Sequence, residues 1–254
     1  MERTVETQKK RSMALEIWRR LRKNKMAMLG LVILVMLALT AIFADVIADY
    51  DTKVIAQDIK NRLQGPSMEH WCGTDEFGRD IFARLVHGSR VSLVVGLISV
   101  SISLLMGGAL GAIAGYYGGR VDNVIMRIMD IFLAVPSILL AMTIVAALGT
   151  SLINVMLAIG VSGIPGYARI VRASVMSIKD QEFVEASRAI GAKSPTTIFR
   201  EILPNCLAPI IVQATLSVAG AILSTASLSF IGLGVQPPSP EWGAMLSGGR
   251  NYLR

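Results

Sequence analysis

Residues 169–204, RIVRASVMSIKDQEFVEASRAIGAKSPTTIFREILP, form a charged segment with helical patterning between two long apolar runs. Asp180 can cap a short helix, and Gly191 can end it in the left-handed conformation. Ser194 followed by Pro195 favours the N-cap and first position of a second helix. The apolar residues of the first helix share one face: Phe183, Ala186 and Ile190. The pattern predicts two short helices hinged at a glycine, which fits either a docking surface or an ordinary amphipathic connector.

The composition around this segment is that of an integral membrane protein. Of the 254 residues, 53% are hydrophobic and only 17% charged, with a mean hydropathy of +0.56. The formal charge is +7, but the basic residues form no patch interleaved with aromatics, so a nucleic-acid partner is excluded. Nine of the 25 Lys and Arg lie in the first 28 residues, which predicts a cytosolic amino terminus. Residues 1–25 fit either an amphipathic segment at the bilayer surface or a solvated tail that sets the orientation.

The apolar runs predict an all-α membrane protein with five spans. Two spans are expected between residues 131 and 168, joined near residue 150 and kinked at Pro136 and Pro165. Residues 116–122 are predicted to form a short inner loop, and residues 232–246 contain too much proline and glycine for a helix. The expected organisation, in numbers, is a basic segment 1–25, a first span 26–48, an outer segment 49–90, a core 91–232 and an outer loop 233–254.

Counting spans from a cytosolic amino terminus places residues 169–204 on the cytosolic side. Small residues at every fourth position, including Gly107, Gly111 and Gly115, favour close helix packing over a ligand-lining role. A mildly polar stripe on the last span could line a pathway or serve packing: Gln213, Ser217 and Thr225. Asp130 is either an intramembrane acid on a transport path or, as the spacing favours, the ion-pair partner of Arg127.

No pattern for catalysis, metal binding or a cofactor is found. Gly191 to Ser194 lacks the leading glycine of a phosphate-binding loop, so the chain is not expected to bind ATP itself. His70 and His87 are expected to be loop residues, and Cys72 and Cys206 are too few and too far apart for a metal cluster. Enzyme classes are therefore disfavoured.

Several motifs in order resemble one family of transport proteins. EASRAIG at 185–191 with LP at 203–204 resembles the EAA loop of permease subunits in ABC importers. Further motifs are similar to the second permease of dipeptide, oligopeptide and nickel transporters: GTDEFGRDIFARLVHGSR (73–90), YARIVR (167–172), ILPN (202–205) and SLSFIGLGVQPPSPEWGAML (227–246). The resemblance implies an ABC importer type I transmembrane domain in the cell (inner) membrane. That fold has six spans, whereas this sequence provides five and ends before the sixth, which is expected to reflect truncation or incomplete coverage.

The resemblance also implies partners and roles. A homologous second permease would complete the pathway, two cytosolic ATPase subunits would hydrolyse ATP, and a solute-binding protein would deliver peptide from outside. Residues carried over as the ATPase-coupling site are Phe183, Glu185, Ala186, Ser187, Gly191 and Ala192, with Ser187 standing where the family usually has Ala. Nickel or another small solute is the alternative cargo. An ATP-independent channel or secondary transporter is the alternative class of protein.

Overall fold

The computed structural model describes residues 18, 19 and 21–252, so most of the amphipathic segment predicted for residues 1–25 lies outside the described residues. Eight helices of at least eight residues run through the described part of the chain: α1 Lys25–Ile42, α2 Ile81–Tyr117, α3 Gly119–Leu133, α4 Ser137–Leu148, α5 Leu152–Ile178, α6 Glu182–Ala189, α7 Leu207–Phe230 and α8 Trp242–Gly249. Shorter helical turns connect them: Ala44–Ile47, Tyr50–Ile55, Ile59–Asn61, Ser194–Thr196, Thr197–Ile202, Leu203–Asn205 and Arg250–Tyr252.

Four of these helices, α1, α2, α5 and α7, are long and apolar enough to cross a bilayer. The pair α3 and α4 supplies a further candidate span, bent by 83° at its break. Residues 18, 19 and 21–252 therefore contain four candidate spans, or five if the bent pair counts as one. The predicted all-α multi-pass architecture is confirmed.

The two prolines predicted to kink spans behave differently. Pro136 lies at the break between α3 and α4, and α4 begins at the next residue. With 12 residues, α4 is about 18 Å long, too short to cross a hydrocarbon core of about 30 Å alone. Pro165, in contrast, lies inside α5, which continues unbroken from Leu152 to Ile178. Proline removes one backbone donor, and packing against neighbouring helices can hold such a helix together.

Helix α2 begins ten residues before the expected boundary at residue 91. The Asp80 side chain caps it by accepting a hydrogen bond from the Ala83 N–H at 2.8 Å. At 37 residues, α2 is about 55 Å long and extends well beyond a hydrocarbon core of about 30 Å. The segment between α1 and α2 (residues 43–80) packs beside this extension, where Ala48 and Val54 form an apolar cluster with Ala83 of α2. Residues 81–90, expected in the outer segment, belong to α2.

Polar residues in the first turns of α2 find partners in the α1–α2 segment and at the end of α1. Arg84 donates to the Val54 carbonyl at 3.2 Å, and His87 Nε2 lies 2.8 Å from the Ala48 carbonyl oxygen. His87 is therefore a buried helix residue, and the prediction that it lies in a loop is wrong. His70 does lie in a loop, with Nδ1 2.9 Å from Asp80 Oδ2.

Two further boundaries differ from the sequence prediction. The inner loop expected at residues 116–122 is reduced to Gly118, which has a φ of +63° between α2 and α3. The proline-rich stretch ends at Pro240, and residues 242–249 form α8. Buried Glu241 caps α8 by accepting hydrogen bonds from the N–H groups of Gly243 and Ala244, which the composition of the stretch did not reveal.

Candidate functional site

The connector between α5 and α7 (residues 179–206) has the predicted arrangement of a short helix, a glycine stop and a second helical segment. Gly191 has a φ of +86°, the left-handed conformation expected of it. The predicted caps are wrong by one residue. Gln181 precedes α6 where Asp180 was expected, and Ser194 is the first helical residue after Lys193. In both cases the first turn forms without a side-chain cap.

Helix α6 is attached to the membrane core through the side of the helix that carries Val184. The Val184 side chain is fully buried in an apolar cluster with Val171 and Val175 of α5 and Ile198 and Ile202 of the connector. The predicted apolar face instead points away from this core, because Phe183 and Ile190 are exposed. Burying one valine leaves the remaining apolar residues of a short helix available to a partner.

The predicted coupling residues lie together on and beside this uncovered surface of α6. Phe183 is 38% exposed, whereas Ile190 is 87% exposed. The other residues of the predicted set are exposed or half-buried: Glu185, Ala186, Ser187, Gly191 and Ala192. Glu182 and Glu185 lie in the first turn of α6 and Arg188 in the last, which favours both ends of the helix dipole.

A second attachment joins α6 to the end of α2. The Arg188 guanidinium carbon lies 4.9 Å from the centre of the Tyr116 ring, within the range of a cation–π interaction. Tyr116 belongs to the last turn of α2. Helix α6 therefore contacts the ends of both long helices, α5 through Val184 and α2 through Arg188. The sequence analysis missed this contact because 72 positions separate the two residues.

The predicted glycine ridge of α2 lies against α5 at very short range. A Cβ atom added to Gly107 would lie 2.8 Å from Tyr167 Cβ, and one at Gly115 would lie 2.9 Å from the Arg172 carbonyl oxygen. One at Gly111 would collide with the Ala168 carbonyl group. Distances this short leave no room for a side chain, so the two backbones approach as small-residue ridges permit.

The predicted polar stripe of α7 has mixed surroundings. Thr225 is fully buried and donates its hydroxyl to the Ala221 carbonyl of its own helix at 2.8 Å. Gln213 and Ser217 are half-buried and joined by a 3.2 Å hydrogen bond. The pathway role of these three residues stays a prediction. Within this chain, Thr225 is enclosed, while the other two retain partial exposure.

Two ion pairs join α3 to α5, and neither is the expected pair of Asp130 with Arg127. Asp130 instead accepts a 2.9 Å hydrogen bond from Arg169, with both side chains more than half exposed. Asp122 forms a two-point pair with Arg172 through both nitrogens of one edge of the guanidinium. This pair is the more buried, with 12% exposure for the aspartate. Local spacing favoured Arg127, but the tertiary fold brings the α5 arginines closer.

The motif at residues 73–90 builds the loop in front of α2. Gly73 and Gly78 both have a φ of +76°, and a side chain on either would collide with backbone oxygens of the α1–α2 segment. Asp75 accepts from the Phe77 and Arg79 N–H groups and from Arg79 Nε at 2.7 Å. These contacts explain structurally why glycine and aspartate occupy these positions of the motif.

Comparisons with known proteins agree with this geometry. Residues 107–250, more than half of the chain, match the family model described as "Binding-protein-dependent transport system inner membrane component". The chain belongs to this family. Residues 12–66 match a second model, the "N-terminal TM domain of oligopeptide transport permease C". The recognised resemblance to importer permeases is therefore confirmed for this inner membrane component.

Curated relatives cover nearly the whole chain. The dipeptide transport system permease protein DppC of Alkalihalophilus pseudofirmus is 52% identical over 94% of this chain and 78% of its own length. The di/tripeptide transport system permease protein DppC of Pseudomonas aeruginosa is 47% identical over 94% of this chain and 80% of its length. The glutathione transport system permease protein GsiD of Escherichia coli is 45% identical over 92% of this chain and 77% of its length.

The fold also has a counterpart among solved structures. A chain from a structure titled "Inward facing conformations of the MetNI methionine ABC transporter" superposes with a TM-score of 0.56 over 67% of this chain and 81% of that chain. The sequence identity is 21%, so the likeness concerns the fold alone. Together with the family match, it confirms the predicted type I transmembrane fold of this inner membrane component.

Proposed function

We propose that this inner membrane component is the permease subunit of an ATP-driven importer of short peptides. The observation that carries the proposal is the agreement among relatives 45–52% identical, whose names refer to dipeptide, di/tripeptide and glutathione transport. Each of these solutes is a short peptide. The near-complete coverage of this chain includes the connector and the motif at residues 73–90, so both regions lie within the shared sequence.

The importer needs partners that this chain does not provide. A homologous second permease completes the pathway, two cytosolic ATPase subunits hydrolyse ATP, and a solute-binding protein delivers the peptide. The basic amino terminus supports a cytosolic location for that end. With the bent pair α3 and α4 counted as one span, four spans precede the connector, which is then cytosolic too. Gln213, Ser217 and Thr225 are the candidate pathway residues of α7.

The uncovered surface of α6 is the proposed docking site for one ATPase subunit. Val184 anchors α6 to α5, and Arg188 attaches it to α2. A push on the exposed Phe183 and Glu185 therefore reaches the ends of both long helices. In this mechanism, ATPase closure moves α6 as a rigid lever, and the spans reorient to alternate access between the two sides.

Reconstitution of the importer with its partners in proteoliposomes tests the coupling role. Glu185→Lys reverses the charge on the docking surface, and Gly191→Asp places a side chain where φ is +86°. Both variants should lose ATP-driven uptake of a labelled dipeptide while the chain still inserts and the partners still hydrolyse ATP. Uptake at the wild-type rate in both variants would exclude the docking role.

Glu182→Lys is the matched control. Glu182 is exposed and lies in the same first turn of α6, so its reversal costs the same helix-dipole interaction. It lies outside the predicted coupling set, and uptake should therefore persist.

Dipeptide uptake that continues without ATP or ATPase subunits would favour a channel or secondary transporter. Uptake of nickel in place of dipeptide would reject the peptide substrate.

A further inference from the structure

A cavity of about 410 Å³ lies between two regions that are distant in sequence. One wall comes from the α1–α2 segment and the first turn of α2, and the other from residues 229–252 after and around the end of α7. Its volume falls within the range of about 300–1,000 Å³ typical of small-molecule sites. The cavity is thus suited to a small ligand.

Two buried arginines line this cavity and share one carboxylate. Arg79 is 7% exposed and donates from Nε to Asp75 Oδ2 at 2.7 Å. Arg84 is 5% exposed, and its Nε lies 3.6 Å from the same oxygen. The nearby Asp80 is engaged with His70 and with the cap of α2. The lining thus places two guanidinium groups, those of Arg79 and Arg84, beside the single carboxylate of Asp75.

The Arg79 side chain keeps unused donors. Among the described residues its side-chain hydrogen bond is made through Nε, and neither terminal nitrogen has a protein acceptor. Among the described residues, the fully buried side-chain polar atoms without a hydrogen-bond partner are Ser92 Oγ and Tyr167 Oη. The terminal nitrogens of Arg79 also have no partner but are not among these enclosed atoms, so they retain access to the cavity. The guanidinium carbon also lies 4.5 Å from the centre of the Phe77 ring, which helps to fix the plane of the group.

The wall also carries a carboxylate. Glu76 lines the cavity and accepts a 3.1 Å hydrogen bond from the Tyr252 hydroxyl. This hydrogen bond raises the pKa of Tyr252 above its ordinary value, and the phenol serves as the donor. The lining therefore offers cationic donors and an anionic acceptor within one small volume. A zwitterion presents the complementary pair of groups.

We propose that this cavity binds a short peptide by its free carboxylate, held by the unused donors of Arg79 with Arg84 beside it. The amino group of the peptide is directed to Glu76. An Arg fork matches a carboxylate with two parallel hydrogen bonds, which favours a carboxylate over a neutral amide. The inference rests on the proposed peptide transport and assigns this permease a peptide site of its own, separate from α6 and from the α7 stripe.

Ligand chemistry tests the site without changing the protein. The full chain in lipid nanodiscs is titrated by calorimetry with alanyl-alanine and with its carboxyl-terminal amide. We expect the free acid to bind at least tenfold more tightly than the amide, because the amide lacks the charge that the arginines recognise. Equal affinities, or no heat for either peptide, would overturn the proposal.

Labelling locates the binding. In a Ser239→Cys variant, the new thiol lies in the cavity lining, and native Cys72 is an exposed thiol outside the lining. Alanyl-alanine should slow maleimide labelling at position 239 and leave labelling of Cys72 unchanged, whereas the amide should protect neither. Protection at both thiols, or at neither, would contradict binding in this cavity.

A charge variant separates this site from the proposed function. Arg79→Gln should weaken alanyl-alanine binding at least tenfold. Arg90→Gln is the control, since Arg90 lies on α2 outside the cavity lining and pairs with Asp45 at 2.9 Å; its binding should match wild type. If the wild-type importer takes up dipeptide but the chain binds none, the cavity site is rejected and the proposed function stands. Failure of wild-type uptake would reject the proposed function itself.

Discussion

Replacing Gly107 by alanine tests the contact between α2 and α5 most directly. The added Cβ would lie 2.8 Å from Tyr167 Cβ and 3.1 Å from the Ala168 nitrogen, and it would collide with the Ile164 carbonyl oxygen. These obstacles are near or in the backbone, so α5 must move away. Overpacking of this kind costs about 1–3 kcal/mol. Against this, alanine in a helix gains about 1 kcal/mol over glycine.

Gly108→Ala is the matched control, one residue further along the same helix. Its Cβ would meet its nearest atoms at 3.9 and 4.0 Å, ordinary contact distances, so only the helix-propensity gain remains. We expect the free energy of unfolding of Gly107→Ala to be about 1–3 kcal/mol below that of Gly108→Ala.

Thermal unfolding in detergent, followed by circular dichroism, measures the difference. Each kcal/mol corresponds to about 2–4 °C in the midpoint for a chain of this size. The order of the two midpoints decides the test, since both variants make the same chemical change. Equal midpoints, or a higher midpoint for Gly107→Ala, would refute the close approach of the two backbones and reopen a pathway role for the glycine ridge.

Further predictions concern the ion pairs and the connector. Arg172→Gln leaves a largely buried aspartate without its partner and should lower the free energy of unfolding by about 3 kcal/mol, measured by denaturant titration. Arg169→Gln, in the exposed pair, should cost less than about 1 kcal/mol, and equal losses would contradict the difference in burial. Gly191→Ala should cost about 1–2 kcal/mol because its φ is +86° with nothing within 4 Å. Gly220→Ala in α7, equally uncrowded, should instead gain about 1 kcal/mol from helix propensity, and similar melting points would disprove a backbone cause. Arg188→Gln should reduce the peptide uptake per ATP hydrolysed in proteoliposomes, while the free energy of unfolding changes by about 1 kcal/mol or less. An unchanged ratio of uptake to hydrolysis would show that the contact with Tyr116 of α2 does not transmit movement from α6.

The sequence by itself determined the class of protein, the apolar spans and the glycine stop in the connector. Long uncharged runs need a bilayer, and a residue such as Gly191 is favoured where φ is positive, so both follow from local chemistry. The ordered set of motifs also pointed to the family that the comparisons later confirmed.

The tertiary structure decided which distant groups meet. Asp130 pairs with Arg169 and not with its helical neighbour, because α5 brings a second arginine within reach across the helix contact. Which side of α6 is exposed depends on the apolar cluster that buries Val184, and the sequence pattern of this eight-residue helix does not specify that cluster. The cavity beside Arg79 forms only when residues 229–252 fold back against the α1–α2 segment. Such contacts join positions far apart in the chain, and no local spacing encodes them.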